Sequence, residues 1–406
     1  VGRFFRNDLH EEFGTWPLGY TAYGGADVGE IIAVAEAVGD GDDTAYFEAW
    51  MAAGDRLRAE AEAALERGLR ASASELFLRA SSFYATSYHP LYGEPVDARL
   101  VSAFRTQIAA FNEGLRLRSV PVRSVRIPFE DTSLPAYLIP AEGHETKRCP
   151  LLILTNGYDA TVTEMYFASA VAACRRGYHC LIFDGPGQGE MLIEHGMRMR
   201  PDWDAVVREV VNFALDQDIV DPHRIVISGW SLGGFLAPRA AAGEPRLAAC
   251  IADPGSWGIG PGLKSFAAKF GLSAADIDNL NALDQGVYDR MQEVIDTNPK
   301  MRWSIVQRGF WVHGVDNLRD YIRVASQLTL EGWVEKIRCP TLLTAAENDP
   351  LSAGAEALFA ALQCPKSLIR FTAAEGAGDH CEMQNRSLLN RRVLDWLDLT
   401  LAGKVP

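Results

Sequence analysis

From residue 118 onward the chain carries short apolar runs separated by turn residues or by segments of helix length, a pattern few folds accept. RSVRIPFE and LPAYLIPA alternate like a pair of neighbouring strands. PLLILTNGY, YHCLIFDGPGQGE, RIVISGW, LAACIADPG, CPTLLTAAEND and KSLIRFTAAEG follow, mostly with helix-length stretches between them. Strands alternating with helices connect by right-handed crossovers, so a mostly parallel central sheet with helices on both faces is expected. The alternation is interrupted once, between Pro254 and Cys339, by a helical stretch that contains Trp257, Trp303 and Trp311. An insertion after the carboxyl end of a strand falls over the ligand crevice of such a sheet. Residues 255–332 are therefore expected to form a lid.

The 406 residues exceed one small domain. Residues 1–117 have a different texture, rich in Ala, Glu, Arg and Leu after an aromatic, loop-like start, FFRNDLHEEFGTWPLGYTAYGG. The stretch DTAYFEAW through ATS repeats apolar residues every three or four positions, which predicts a helical hairpin, and VDARLVSAFRTQIAAFNEGL predicts another helix. The expected organisation is a helical N-terminal cap over 1–117 and a catalytic α/β domain over 118–406.

Charge and composition exclude some functions. The net charge of −14 argues against a nucleic-acid or anionic-membrane surface, either of which needs clustered Lys and Arg. No apolar run approaches the ~18 residues of a membrane span. The first thirty residues lack a basic start followed by an apolar stretch, so no signal peptide is expected there, and the start at Val1 fits removal of something upstream. Seven scattered cysteines with no C-x-x-C suit a reducing, cytoplasmic setting. No H-E-x-x-H or paired Cys/His set occurs, so neither a metal nor a cofactor is expected. GPGQGE (185–190) has Gly at 185, 187 and 189 and a Pro inside; it is not a dinucleotide fingerprint and reads as a tight loop near the site.

The chemistry concentrates around IVISGWSLGG (225–234). Gly-x-Ser-x-Gly arises by chance in a chain of this length roughly one time in seven. Here it follows an apolar run and FLAPRAAAG continues as a helix, the strand–turn–helix context of a nucleophile elbow. The bland alternative for Ser231 is an N-cap serine in a βα turn. A serine hydroxyl needs a base, and in this sheet type the partners follow in the order Ser, acid, His. Only His313 and His380 lie downstream. His313 falls in a helix-like part of the lid, before the acid; His380, in EGAGDHCEMQ, follows the last strand run and is the expected base. Asp349, in TLLTAAENDPLS, is the expected acid, with Glu347 and Asp253 as alternatives. The Leu232 amide and the Tyr158 amide of TNGYDA are expected to hold an oxyanion. Candidate substrate contacts are Tyr158, Trp230, Asp253 and Trp257.

With these residues in place, 118–406 resembles the α/β-hydrolase superfamily. The helical region ahead of the sheet, with TNGYDATVTEMY, FDGPGQGE and GAGDHC, resembles a narrower group that contains the dihydropseudooxynicotine hydrolases and the fermentation–respiration switch-like proteins. The resemblance implies a serine hydrolase with a helical cap, acting on a small molecule and often dimeric. Members cleave esters, cleave carbon–carbon bonds beside a ketone, or release and transfer polyketide acyl groups. The leading expectation is cleavage of an ester or related acyl bond of a small apolar or aromatic substrate. Carbon–carbon hydrolysis, with a lid residue such as Asp253 protonating the leaving carbanion, and acyl transfer are the alternatives.

Overall fold

The computed structural model describes residues 2–120 and 122–404. Six helices come first: α1 (Asp8–Gly14), α2 (Trp16–Gly19), α3 (Val28–Val38), α4 (Asp43–Glu66), α5 (Arg70–Ser87) and α6 (Ala98–Leu117). The aromatic start is helical rather than loop-like. Asn7 caps α1 by accepting from the Leu9 and His10 amides, and Asp8 and Glu11 lie in the first turn, where acidic side chains suit the helix dipole. Phe13 and Trp16 are then carried inward, so aromatic residues that look like loop decoration are core. α4 and α5 form the expected hairpin, with α6 packed against α5. Phe5, Ile31, Tyr46, Trp50 and Phe83 fill the core of this region.

The sheet has eight strands: β1 (Arg123–Phe129), β2 (Thr132–Ile139), β3 (Cys149–Thr155), β4 (His179–Phe183), β5 (Val220–Trp230), β6 (Ala249–Asp253), β7 (Thr341–Ala346) and β8 (Lys366–Phe371). Their spatial order is β1-β2-β4-β3-β5-β6-β7-β8. The β1–β2 and β2–β4 pairs are antiparallel, and every other pair is parallel. Leu152, Leu154, Ser228 and Ile251 face the C-terminal helix Arg386–Leu401. Helices Trp203–Leu215 and Gly233–Gly243 pack against each other and against β5. Buried on both faces, the inner strands read as near-continuous apolar runs, which is why they were legible as strands.

The chain order reverses at β3 and β5, the switch point where such sheets leave a crevice beyond the strand ends. The segment after β6 reaches the loop that follows β3, where Arg308 pairs with Asp159 and His313 meets the Tyr158 hydroxyl. It holds helices Gly260–Ala268, Gln285–Thr297 and Leu318–Ala325 and the π-helical segment Trp303–Phe310, around an apolar core that includes Leu263, Tyr288, Met291, Ile295 and Ile322. Its two ends meet in a narrow neck: the Ile259 amide donates to Leu328 O at 3.1 Å and the Leu330 amide to Trp257 O at 3.0 Å. No helix among the described residues is long and apolar enough to cross a membrane.

Trp50 is fully buried against Phe5, Tyr46 and Phe83. Its replacement by Ala leaves a large cavity, and denaturant unfolding is expected to show a loss of about 3–5 kcal/mol.

Candidate active site

Ser231 stands on the turn between β5 and helix Gly233–Gly243, with φ at +62°. That conformation is costly for a residue with a Cβ and persists only where the surroundings enforce it. Here the Ser231 amide donates to Asp253 O at 2.7 Å, and Ser231 O accepts from the Gly234 amide at 2.8 Å. The turn brings the helix start onto the strand end so closely that a Cβ on Gly229 would overlap the Gly233 carbonyl. Only glycine fits there.

Three strand ends deliver the side chains. The Ser231 hydroxyl lies 3.0 Å from His380 Nε2, and His380 Nδ1 lies 2.8 Å from Asp349 Oδ2. A carboxylate can only accept, so Nδ1 carries the proton and Nε2 is left to accept from Ser231. Asp349 follows β7, is buried, and also accepts from the Leu351 amide at 2.9 Å. Burial disfavours the His380 imidazolium. The hydrogen bond and charge of Asp349, joined by the charges of Glu12 and Asp253, outweigh it and hold the ring's pKa above its ordinary value.

Glu347 and Asp253, the other strand-end carboxylates, take other places. Glu347 accepts from the Ala373 amide at 2.7 Å and braces the loop after β8. Asp253 is a strand-end residue of β6 rather than part of the lid. Its carboxylate accepts from Thr344 Oγ1 at 2.9 Å and pairs with Arg386 Nη1 at 2.9 Å. The same Arg386 nitrogen donates to Cys381 O at 2.7 Å, so one buried guanidinium ties the end of β6 to the residue after His380.

The loop after β3 borders Ser231. A Cβ on Gly157 would lie 2.6 Å from the Leu232 nitrogen and 2.9 Å from Ser231 Cβ, which measures how closely its backbone approaches. Among the described residues, neither the Tyr158 nor the Leu232 backbone N–H makes a hydrogen bond. The GPGQGE turn braces this loop from behind. Gln188 Nε2 donates to Asn156 O at 2.8 Å and Gly157 O at 3.1 Å, and Asp184 Oδ1 accepts from the Val162 amide at 3.1 Å.

The Tyr158 hydroxyl lies 2.6 Å from His313 Nε2. Burial, together with the Arg308 charge, pushes the His313 pKa down to about 4, so the ring is neutral at pH 7. Trp230 is buried, its ring 5.5 Å from that of Trp16 and beside the Arg386 guanidinium. Trp257 is half-buried in the neck of the lid, against Gly354. Sequence reasoning missed Arg308, Asp159, His89, Tyr92 and Glu12. Only Asp159 carries a signal, its place in TNGYDA beside Tyr158; Arg308 sits in a helical pattern that looks like ordinary packing, His89 and Tyr92 lie in the turn after α5, and Glu12 lies in the aromatic start.

The alpha/beta hydrolase family model matches residues 151–389. Over 95% of this chain and 95% of its own length, the 20-hydroxy-prefusarin hydrolase FUS2 of Gibberella moniliformis is 33% identical. The hydrolase acrC of Aspergillus aculeatus is 32% identical over 98% of this chain and 97% of its own. Among solved structures, a 2,6-dihydroxy-pseudo-oxynicotine hydrolase superposes with a TM-score of 0.73 at 22% identity, covering 96% of this chain and 97% of that one.

Because only hydrogen fits at Gly229, Gly229→Ala is expected to force the strand and helix apart. Denaturant titration should show a loss of about 1–3 kcal/mol or more.

Proposed function

We propose, from the premise that this chain belongs to the alpha/beta hydrolase family, that it is a serine hydrolase cleaving an ester or related acyl bond through an acyl-enzyme. The observation that carries the reading is the unbroken chain Asp349–His380–Ser231, at 2.8 and 3.0 Å, ending on a serine held at positive φ. In this mechanism His380 Nε2 takes the Ser231 proton as Oγ attacks the carbonyl carbon, and Asp349 stabilises the resulting imidazolium. The negative charge developing on the carbonyl oxygen is met by the Leu232 and Tyr158 amides, which make no other hydrogen bond among the described residues. His380 then gives its proton to the leaving group and draws one from water for deacylation. The aromatic residues around the site (Trp16, Trp230, Trp303) fit a small apolar or aromatic substrate.

A second reading is hydrolysis of a carbon–carbon bond beside a ketone. The same serine attack expels a carbanion, which must be protonated. Asp253, engaged by Arg386 and Thr344, is poorly placed to give a proton. The Tyr158 hydroxyl supports this reading better. Burial raises its pKa, so it keeps its proton at neutral pH, and it sits against a neutral imidazole. Product analysis on ester and β-diketone panels separates the two readings, and acyl acceptors added to either panel reveal transfer.

Three results are expected. Ser231→Ala lowers turnover of short p-nitrophenyl esters by about 10⁴-fold or more and abolishes labelling by a fluorophosphonate; undiminished turnover removes the assignment. The base must be neutral to act and its pKa is raised, so kcat/KM should fall on the acid side with a midpoint above about 6.5. Asp349→Asn removes the charge that raises it, which moves that midpoint down and lowers kcat by about 10³- to 10⁴-fold.

A further inference from the structure

We propose that the lid completes the oxyanion site, with Arg308 as a positioning residue that holds the Tyr158 amide in place through Asp159. The inference rests on the reading of Tyr158 as an oxyanion donor given above. It starts from Asp159, the next residue in the chain. Two parts of the molecule grip it from different sides. Its carbonyl accepts from Tyr92 Oη at 3.1 Å, and His89 Nε2 lies 3.3 Å away, both from the N-terminal helical region. Its carboxylate accepts from Arg308 Nη1 at 2.7 Å, from the π-helical segment of the lid.

Arg308 touches Tyr158 as well. Its guanidinium carbon lies 4.9 Å from the centre of the Tyr158 ring and 5.0 Å from that of Trp303, while Nη2 donates to Ser304 Oγ at 2.8 Å. His313, on the same arm of the lid, meets the Tyr158 hydroxyl. Two successive residues of the loop are thus fastened by lid side chains, and the residue before them, Gly157, lies against Leu232 and Ser231. Asp159 is buried, and Arg308 is its sole ionic partner among the described residues. Movement of the lid on its neck at residues 257–259 and 328–330 would strip the buried carboxylate of its counter-ion, at a cost. In this proposal that cost is relieved by a shift of the loop, and of the Tyr158 amide with it. Closure of the lid and assembly of the donor pair are therefore one event, so a substrate is activated only after it has been enclosed.

Hydrogen exchange and steady-state kinetics on the full chain test this, with Arg308→Met and Arg308→Lys. Arg308→Met should speed amide exchange in a peptide spanning 156–162 by about tenfold or more, leaving strand Cys149–Thr155 unchanged. It should lower kcat on a short p-nitrophenyl ester by about 10²-fold with KM within about threefold, since a donor made only in the transition state is lost. Arg308→Lys keeps a cation for Asp159 and should recover most of both. Unchanged exchange in 156–162, or a loss carried by KM alone, overturns the proposal. If the unaltered protein neither turns over esters nor takes a fluorophosphonate at Ser231, the serine-hydrolase reading fails by itself; the exchange comparison still decides whether Arg308 holds the loop.

Discussion

The backbone of Ser231 sits in a conformation that it would not adopt alone, and much of the surrounding structure answers to that constraint. The elbow is held by β6, whose last carbonyl receives the Ser231 amide, and by the start of the following helix, which reaches the strand only because position 229 is glycine. Parallel pairing of β5 with β3 and β6 puts three strand ends at one edge. The loops after β3, β7 and β8 can then converge on one hydroxyl from different directions. The sheet fixes the distances, and the loops supply the chemistry.

The N-terminal region and the 255–332 segment meet beside this edge through a continuous aromatic contact. Trp230 beside the serine meets Trp16 of α2, Trp16 meets Phe13 of α1, and Phe13 meets Trp303 of the lid at 5.0 Å. The Trp303 indole also donates to His89 O at 2.8 Å. Stacked and edge-on rings of this kind bury large areas in defined orientations. They therefore orient the 255–332 segment against the N-terminal region. This explains why a region 200 residues before the serine in sequence belongs to the same working unit.

All eight strands and the order of Ser231, Asp349 and His380 were legible because their signals are local. Apolar runs end in turn residues, and chain order in this topology limits which histidine can follow which acid. The aromatic N-terminal start reads as loop in the sequence because Gly, Pro and Asn interrupt its periodicity, although Asn7 acts there as a helix cap. The loop-supporting residues were illegible for another reason. Arg308 and Tyr92 do their work across about 67 to 149 residues of sequence. Arg308 in its helical segment and Tyr92 in the turn after α5 each look like packing residues, and only tertiary contact shows the partner. Asp253 enters the sequence reading as an alternative acid, a candidate substrate contact and, for carbon–carbon hydrolysis, a candidate proton source, because it is a carboxylate at a strand end. What decides its role is Arg386, 133 residues away.

That Arg386–Asp253 pair shows how the site is kept in register. Both side chains are almost wholly buried, and two charges taken out of water gain little net stability from each other. Their value is geometric. Besides Asp253, the guanidinium binds Cys381 O at 2.7 Å and Ser169 Oγ at 2.9 Å and lies 5.4 Å from the centre of the Trp230 ring. A planar cation with a fixed fork of donors can satisfy all of these only in one arrangement. The His380 loop, which passes through two residues at positive φ immediately afterwards, is thereby locked to the strand whose last carbonyl holds Ser231. His380 and Ser231 come from loops 149 residues apart, and the buried Arg386 ties the loop of one to the strand that holds the other.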